Sequence, residues 1–408
     1  MDALVFSGYR QTDLVLEFAV SAVRSTLIAL FPVIALALSG CAGGPSRSLT
    51  NALAAEPDAI VATHRILVAT TREKAEDPSE VYGGGRGDEL GFARVDVTVP
   101  RVHSSGRLEG PRNGARRDAS KHFAASEIAL FPKEQDFGNA LRESLARTGG
   151  RALIFIHGYR TAFDGSIYRA AQIAHDSGYA GTPVLFSWAS TGRTVDYIYD
   201  NNSATVARDG LEKTLRLLRA SGAKRIDIIA HSMGNWVTME ALRQIAIAKD
   251  QTVASALGDV VLASPDIDVD VFKSQLQRIG KLDRPFFVMV SRDDRALLVS
   301  SILAGNRPRV GDYDKDEDLA SLGVTVIDVS ALESGDRLNH ARFADNPLLI
   351  QLLGQRLNED DTLGGDGDQV TRRLETLAQG LGQTLGSAAE IIITTPFEVI
   401  NVAVGGAR

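Results

Sequence analysis

The residues with the clearest chemical potential lie at Ala230-His231-Ser232-Met233-Gly234. Ile226 to Ala230 is a short apolar, β-branched run that predicts a buried strand. From Asn235 onward Val237, Ala241, Leu242 and Ile245 fall at helical spacing, so strand yields to helix within about four residues. Ser232 sits at the break. A serine on so sharp a strand-to-helix turn projects its hydroxyl above the sheet, the arrangement of a nucleophile elbow. The turn needs small residues two before and two after the serine, here Ala230 and Gly234. Glycine at both is usual, so Ala230 is a departure. The N–H of Met233, where the helix begins, then points to the place where an acyl oxygen would become negative.

A serine hydroxyl needs a base to take its proton and a carboxylate to orient that base. In sheets carrying such an elbow the partners follow in the order Ser, Asp or Glu, His. His340 is the only histidine after Ser232, in the loop Asp336-Arg337-Leu338-Asn339-His340 that follows the last strand of the alternating pattern. Two pairs of aspartates follow strands between them: Asp293 and Asp294 after Phe286 to Ser291, and Asp266 and Asp268 after Val260 to Ala263. Asp294 is preferred as the acid, because it follows the penultimate strand and abuts the next helix. Asp266-Ile267-Asp268 reads as the cap of a helix from Val269, and Asp293 as capping or solvent-facing. A second oxyanion donor should come from a loop after an early strand. The apolar run Ala152 to Ile156 leads into His157-Gly158-Tyr159-Arg160, which makes the Tyr159 N–H the candidate, with Gly158 allowing close approach. His157 and His231 read as structural. Phe163, Trp188, Tyr197 and Tyr199 are open between pocket wall and core.

The elements that must position these groups alternate. Strands are expected at Ala152 to Ile156, Val184 to Trp188, Ile226 to Ala230, Val260 to Ala263, Phe286 to Ser291 and Val324 to Val329, with helices between them. That order predicts an α/β fold: a doubly wound, mostly parallel sheet with helices on both faces. Before it, Arg65 to Thr71, Ala93 to Val99 and Ile128 to Phe131 read as further strands. Gly84 to Gly87 reads as a loop that lacks the strand and helix of a phosphate cradle, and His103 to His122 as surface loop.

The 408 residues, 44% hydrophobic, suffice for one large domain with appendages. A net charge of -7 argues against a nucleic-acid surface. The single cysteine, Cys41, excludes a disulfide framework and a cysteine-based metal site. Asp312, Asp314 and Asp316 are spaced like calcium ligands, but Glu317 stands where such a loop needs glycine, so a solvated loop is expected and no metal. Ser25 to Leu38 is an uncharged apolar run of signal-peptide length. It ends in Leu38-Ser39-Gly40-Cys41, which resembles the lipobox of bacterial lipoproteins and implies cleavage before Cys41 and lipidation of its thiol. The expected organisation is a signal peptide over 1–40, a tether over 41–59, the α/β domain over 60–358, and a linker and amphipathic tail over 359–408. In that tail Val370, Leu374, Leu377 and Leu381 mark a helix, and Ile391 to Val404 is an apolar run broken by Pro396. The alternatives for it are packing on the domain, lying on a membrane or mediating association.

His157-Gly158-Tyr159, Phe186-Ser187-Trp188, Ala230-His231-Ser232-Met233-Gly234-Asn235, Ser264-Pro265-Asp266-Ile267-Asp268 and Ser291-Arg292-Asp293-Asp294-Arg295-Ala296-Leu297 resemble the motifs of a bacterial branch of the α/β-hydrolase superfamily, the esterase/lipase-like proteins of unassigned function. The likeness runs from about Ile66 to Leu357. It implies a serine hydrolase with Ser232, Asp294 and His340 as its triad. Ala189 stands where similar sequences usually have proline, and Arg160 where they often have asparagine. The expectation is a carboxylic-ester hydrolase without cofactor, acting on a small or lipid-like ester. A lipidated Cys41 would hold it in the bacterial envelope, on the outer membrane facing the periplasm. The competing expectation is a non-catalytic lipoprotein that uses the fold as a binding platform.

Overall fold

In the computed structural model the described residues are 48–111, 115–280, 284, 286–358, 389–397 and 399–404. The signal peptide, Cys41 and the helix expected around Val370 to Leu381 lie outside them. Apolar runs such as Ala152 to Ile156 and Ile226 to Ala230 can bury side chains on both faces, which is what a central parallel strand requires. They form β4 (Arg151–Ile156) and β6 (Arg225–His231). With β1 (Ile60–Lys74), β5 (Thr182–Ser187), β7 (Leu257–Ala263), β8 (Phe287–Val290) and β9 (Thr325–Asp328) they make a parallel array in the order β9-β8-β7-β6-β4-β5-β1.

Antiparallel strands extend the array at each edge. β2 (Tyr82–Pro100) and β3 (Ala124–Phe131) follow β1, and β10 (Ala389–Thr394) and β11 (Val399–Val404) follow β9. The side chains of β4 and β6 alternate between two cores. Ile154, Ile156, Ile228 and Ala230 pack under α1 (Glu134–Arg147), α3 (Tyr197–Ala220), α4 (Gly234–Ala248) and α5 (Val269–Ile279). Leu153, Phe155 and Ile229 face α2 (Phe163–Asp176) and α7 (Pro347–Asn358), while α6 (Arg295–Leu303) follows β8.

Two expectations are corrected, and of the alternatives for the tail its apolar end follows packing on the domain. Residues 48–59 are not a free tether, because Leu49 is buried against the β1–β2 core and Leu53 bridges Asp118. Gly84 to Gly87 belong to β2 rather than to a loop: a Cβ at Gly84 would lie 2.8 Å from the Thr191 Cα, and one at Gly87 2.9 Å from the Arg72 carbonyl oxygen. Glycine is needed there for close passage of backbones. The apolar end of the tail is the β10–β11 hairpin. Its Ile391 and Ile393 cover Val329, Leu332, Leu348 and Leu349. Truncating a buried isoleucine to alanine costs about 2–5 kcal/mol, so Ile391→Ala should lower the urea midpoint of unfolding. An unchanged midpoint would mean that this hairpin contributes nothing to the core.

Candidate active site

Parallel strands bring their C-terminal ends to one edge, where β4 runs into His157-Gly158 and β6 into His231-Ser232. The chain leaves β4 toward β5 and later returns on its other side as β6. Ligands of such sheets bind at this reversal. Ser232 is left-handed, φ 54°, in a region sparsely populated by residues with a Cβ. The cost of such strain, of order 1–3 kcal/mol, is offset only where surroundings over-determine it. Here the Ser232 N–H donates to the Ala263 carbonyl (3.0 Å), and its carbonyl accepts from Asn235 Nδ2 (2.9 Å) and the Asp266 N–H (3.3 Å). Close approach explains the neighbouring small residues. A Cβ at Gly234 would lie 2.4 Å from the His157 carbonyl oxygen, and one at Gly158 2.8 Å from the Ser232 Cβ.

His340 comes to the same region from the loop after β9. His231 Nε2 donates to the His340 carbonyl (3.0 Å), and the two ring centroids are 4.6 Å apart. The Asp336 carboxylate accepts from the N–H groups of His340 (3.0 Å) and Ala341 (3.4 Å), folding the loop around itself. Asp294 does two things. Its Oδ1 caps α6, accepting from the N–H groups of Ala296 (3.0 Å) and Leu297 (3.1 Å), and its Oδ2 lies 2.7 Å from His340 Nδ1. The Asp294 side chain is 0% exposed and that of His340 15%. Burial disfavours a charged imidazole, but Asp294 and then Asp336 outweigh it, raising the His340 pKa above its ordinary 6.5.

The other aspartates take different partners. Asp268 caps α5, accepting from the N–H groups of Asp270 (2.9 Å) and Val271 (3.3 Å). Asp266, expected to share that role, instead accepts from the Tyr197 hydroxyl (3.0 Å) and Ser300 and pairs with Arg309 (3.3 Å). Asp293 is not a cap. Arg342 donates to both its oxygens (2.6 and 2.7 Å), and Asn339 Nδ2 to one (2.7 Å). Asp293 does face solvent, its side chain being 48% exposed, whereas Asp316 is not solvated, since it is buried and paired with Arg292 at 2.8 Å.

On the opposite wall, the Met233 N–H finds no acceptor among the described residues. Tyr159 is half-buried, its ring edge-on to Tyr197 at 5.3 Å. Arg160 is left-handed, φ 57°, a conformation that asparagine would tolerate well. His157 Nδ1 donates to the Gly158 carbonyl (2.8 Å), while Nε2 accepts from the Trp188 N–H (3.2 Å) and Arg72 (3.2 Å). Burial, and then Arg72, push its pKa well below the ordinary value, so this ring is a neutral brace. Burial likewise holds His231 well below its ordinary value. Trp188 is fully buried, stacked on His157 at 5.1 Å, and Phe163 is buried against Tyr82, so both belong to the interior. Tyr199 lies under the Arg86 guanidinium.

Sequence reasoning missed Arg72, at the far end of β1. Buried, it donates to Ser187 Oγ (2.8 Å) and to the carbonyls of Gly83 (2.9 Å), Ser190 (2.7 Å) and Thr161 (2.6 Å) as well as to His157. One cation thus ties the loop after β4 to the loop after β5. The signal available was a charge soon after the apolar run Ile66 to Ala69 within that strand. Overpacking a close contact costs about 1–3 kcal/mol, so Gly234→Ala should lower the thermal midpoint by several degrees through the His157 carbonyl. A midpoint within error of wild type would refute the close crossing of β4 and α4.

A family model described as alpha/beta hydrolase of unknown function (DUF900) matches residues 133–356, more than half of the chain. No curated protein matches. Similar solved structures include lipase B of Aspergillus fumigatus, at 14% identity and a TM-score of 0.24 over 38% of this chain and 42% of that one. Another is an esterase of Pyrococcus furiosus, at 16% identity and a TM-score of 0.22 over 36% of this chain and 63% of that one. The matched region thus spans less than two thirds of either relative. With a mostly parallel sheet, helices on both faces and the family match spanning its central strands, the chain belongs to the alpha/beta hydrolases of unknown function.

Proposed function

We propose that the protein is a serine hydrolase acting on carboxylic esters through an acyl-enzyme. The observation that carries this reading is the 2.7 Å contact between Asp294 and His340, whose carbonyl is gripped by the residue preceding a left-handed Ser232. Ser232 Oγ attacks the acyl carbon, and His340 Nε2 takes the hydroxyl proton. Asp294 accepts from Nδ1–H, which fixes the tautomer and stabilises the imidazolium. The N–H groups of Met233 and Tyr159 receive the oxyanion, the first at the start of α4 where the helix dipole favours negative charge. The imidazolium then protonates the leaving alcohol, and water, deprotonated by the same imidazole, releases the acid. We further propose that Cys41 is lipidated and holds the domain on the outer membrane, facing the periplasm. Labelled palmitate should enter the wild-type chain and not Cys41→Ala.

A fluorophosphonate probe should label the wild-type protein and not Ser232→Ala. A folded protein that resists labelling would instead favour a binding platform. Asp294→Asn should lower kcat by roughly 10⁴-fold, the scale seen when a triad loses its acid. Near-normal turnover in that variant, with Asp266→Asn inactive, would reassign the acid.

The base must be neutral to work. Because Asp294 and Asp336 raise the His340 pKa, the acid limb of kcat/KM should have its midpoint above 6.5. Asp294→Asn should move that midpoint down, since it removes the strongest influence favouring the charged ring. A midpoint unmoved by this change would separate His340 from the rate. The same raised pKa makes the charged pair a stabilising contribution that is complete below 6.5 and lost as the pH climbs through the folded-state value.

A further inference from the structure

We infer that the C-terminal end of α2 carries a binding site for a divalent transition-metal ion of the zinc class, with His103, His175 and Asp176 as its ligands. The helix α2 begins just after the Tyr159 loop and ends at His175-Asp176. Its 14 residues span about 20 Å at 1.5 Å each, and none of the three ligands is among the residues proposed for catalysis. One ligand atom from each of the three residues lies within 4.8 Å of the others. They come from two places in the chain, the segment after β2 and the C-terminal end of α2.

The donor set fits the ion. Two imidazoles and one carboxylate suit zinc and its neighbours, whereas calcium and magnesium prefer oxygen alone. The surrounding contacts leave the right atoms facing inward. Glu109 Oε2 lies 2.7 Å from His103 Nδ1, the carboxylate–imidazole arrangement that orients a metal-bound histidine. His103 Nε2 is thereby directed at Asp176 Oδ1, 2.7 Å away. The other oxygen of Asp176 is occupied by the Gly106 N–H (2.9 Å) and Gln172 Nε2 (2.7 Å). His64 Nε2 lies 3.1 Å from His175 Nδ1 and fixes that ring from β1.

Charge points the same way. The side chains of His103 and Asp176 are only 5% and 1% exposed, so two carboxylates share a poorly solvated space with one imidazole between them. Even with that imidazole protonated the trio is one negative charge in excess. A dication displacing the proton from His103 Nε2 to solvent brings the group to neutrality. Zinc ligands stand about 2.0–2.2 Å from the metal, hence roughly 3.3–3.5 Å from each other. The bound state therefore requires the His103–Asp176 pair, now 2.7 Å apart, to open slightly.

The test is calorimetric titration of zinc into the full-length protein after chelator treatment, with cobalt as a spectroscopic substitute. One zinc per chain is expected, together with visible cobalt bands of a low-symmetry site and a rise in thermal midpoint on metal addition. Asp176→Asn and His175→Gln should abolish that binding, while Ser232→Ala should retain it, which keeps this result independent of the proposed hydrolysis. Should either variant lose its fold by circular dichroism, Glu109→Gln takes its place, with about 10- to 100-fold weaker binding expected. Absence of zinc binding to folded, stripped protein would overturn the inference. So would binding undiminished in folded variants of the three acidic and histidine positions.

Discussion

The backbone at Ser232 is held in a conformation that it would not choose alone, and the rest of the site is built around keeping it there. Its N–H and carbonyl are both engaged, by Ala263, Asn235 and Asp266. Those partners come from the end of β7, from α4 and from the segment that leads into α5. The strain at one residue is therefore supported by three elements. The same turn dictates what cannot be present. A side chain at Gly234 or Gly158 would meet backbone or the serine itself, so the strands that meet here can approach only because both positions lack a Cβ.

Electrostatics then assigns the roles of the charged groups. Asp294 is divided between α6 and His340, so the helix and the imidazole are oriented by one buried carboxylate. Asp336 supports the loop backbone, and Arg342 gathers Asp293 and Ser291 beneath it. On the other wall Arg72 spreads one positive charge over several carbonyls and keeps His157 neutral. Each of these ions has hydrogen-bonding partners, the condition under which a charge is tolerated away from water.

Much of this was legible beforehand, for reasons that are local. Strands such as Ala152 to Ile156 declare themselves by composition, and the elbow by a change of period within a few residues. His340 could be singled out because chain order left no other histidine. What was not legible depends on residues far apart in sequence. Nothing near Arg72 foretells that it reaches the loops after β4 and β5, and nothing near Asp266 foretells Tyr197, Ser300 and Arg309. The hydrophobic run at Ile391 has the composition of a strand, but its partner β9 is some sixty residues earlier, and only the register Ile393 with Ile327 identifies it. In the sequence Asp294 abuts a helix, yet its sharing between cap and imidazole depends on His340, which reaches it from 46 residues away.

The C-terminal hairpin has a consequence for how the molecule comes into being. β9 leads into the loop that ends at His340, and its outer neighbour β10 lies close to the end of the chain. During synthesis β9 must therefore wait, with one rim of hydrogen-bonding groups unpaired, until the roughly sixty residues between it and β10 have been added. Such an open rim invites pairing with other chains. This edge of the sheet is thus among the later parts to assemble, closed only when β10 can pair with β9.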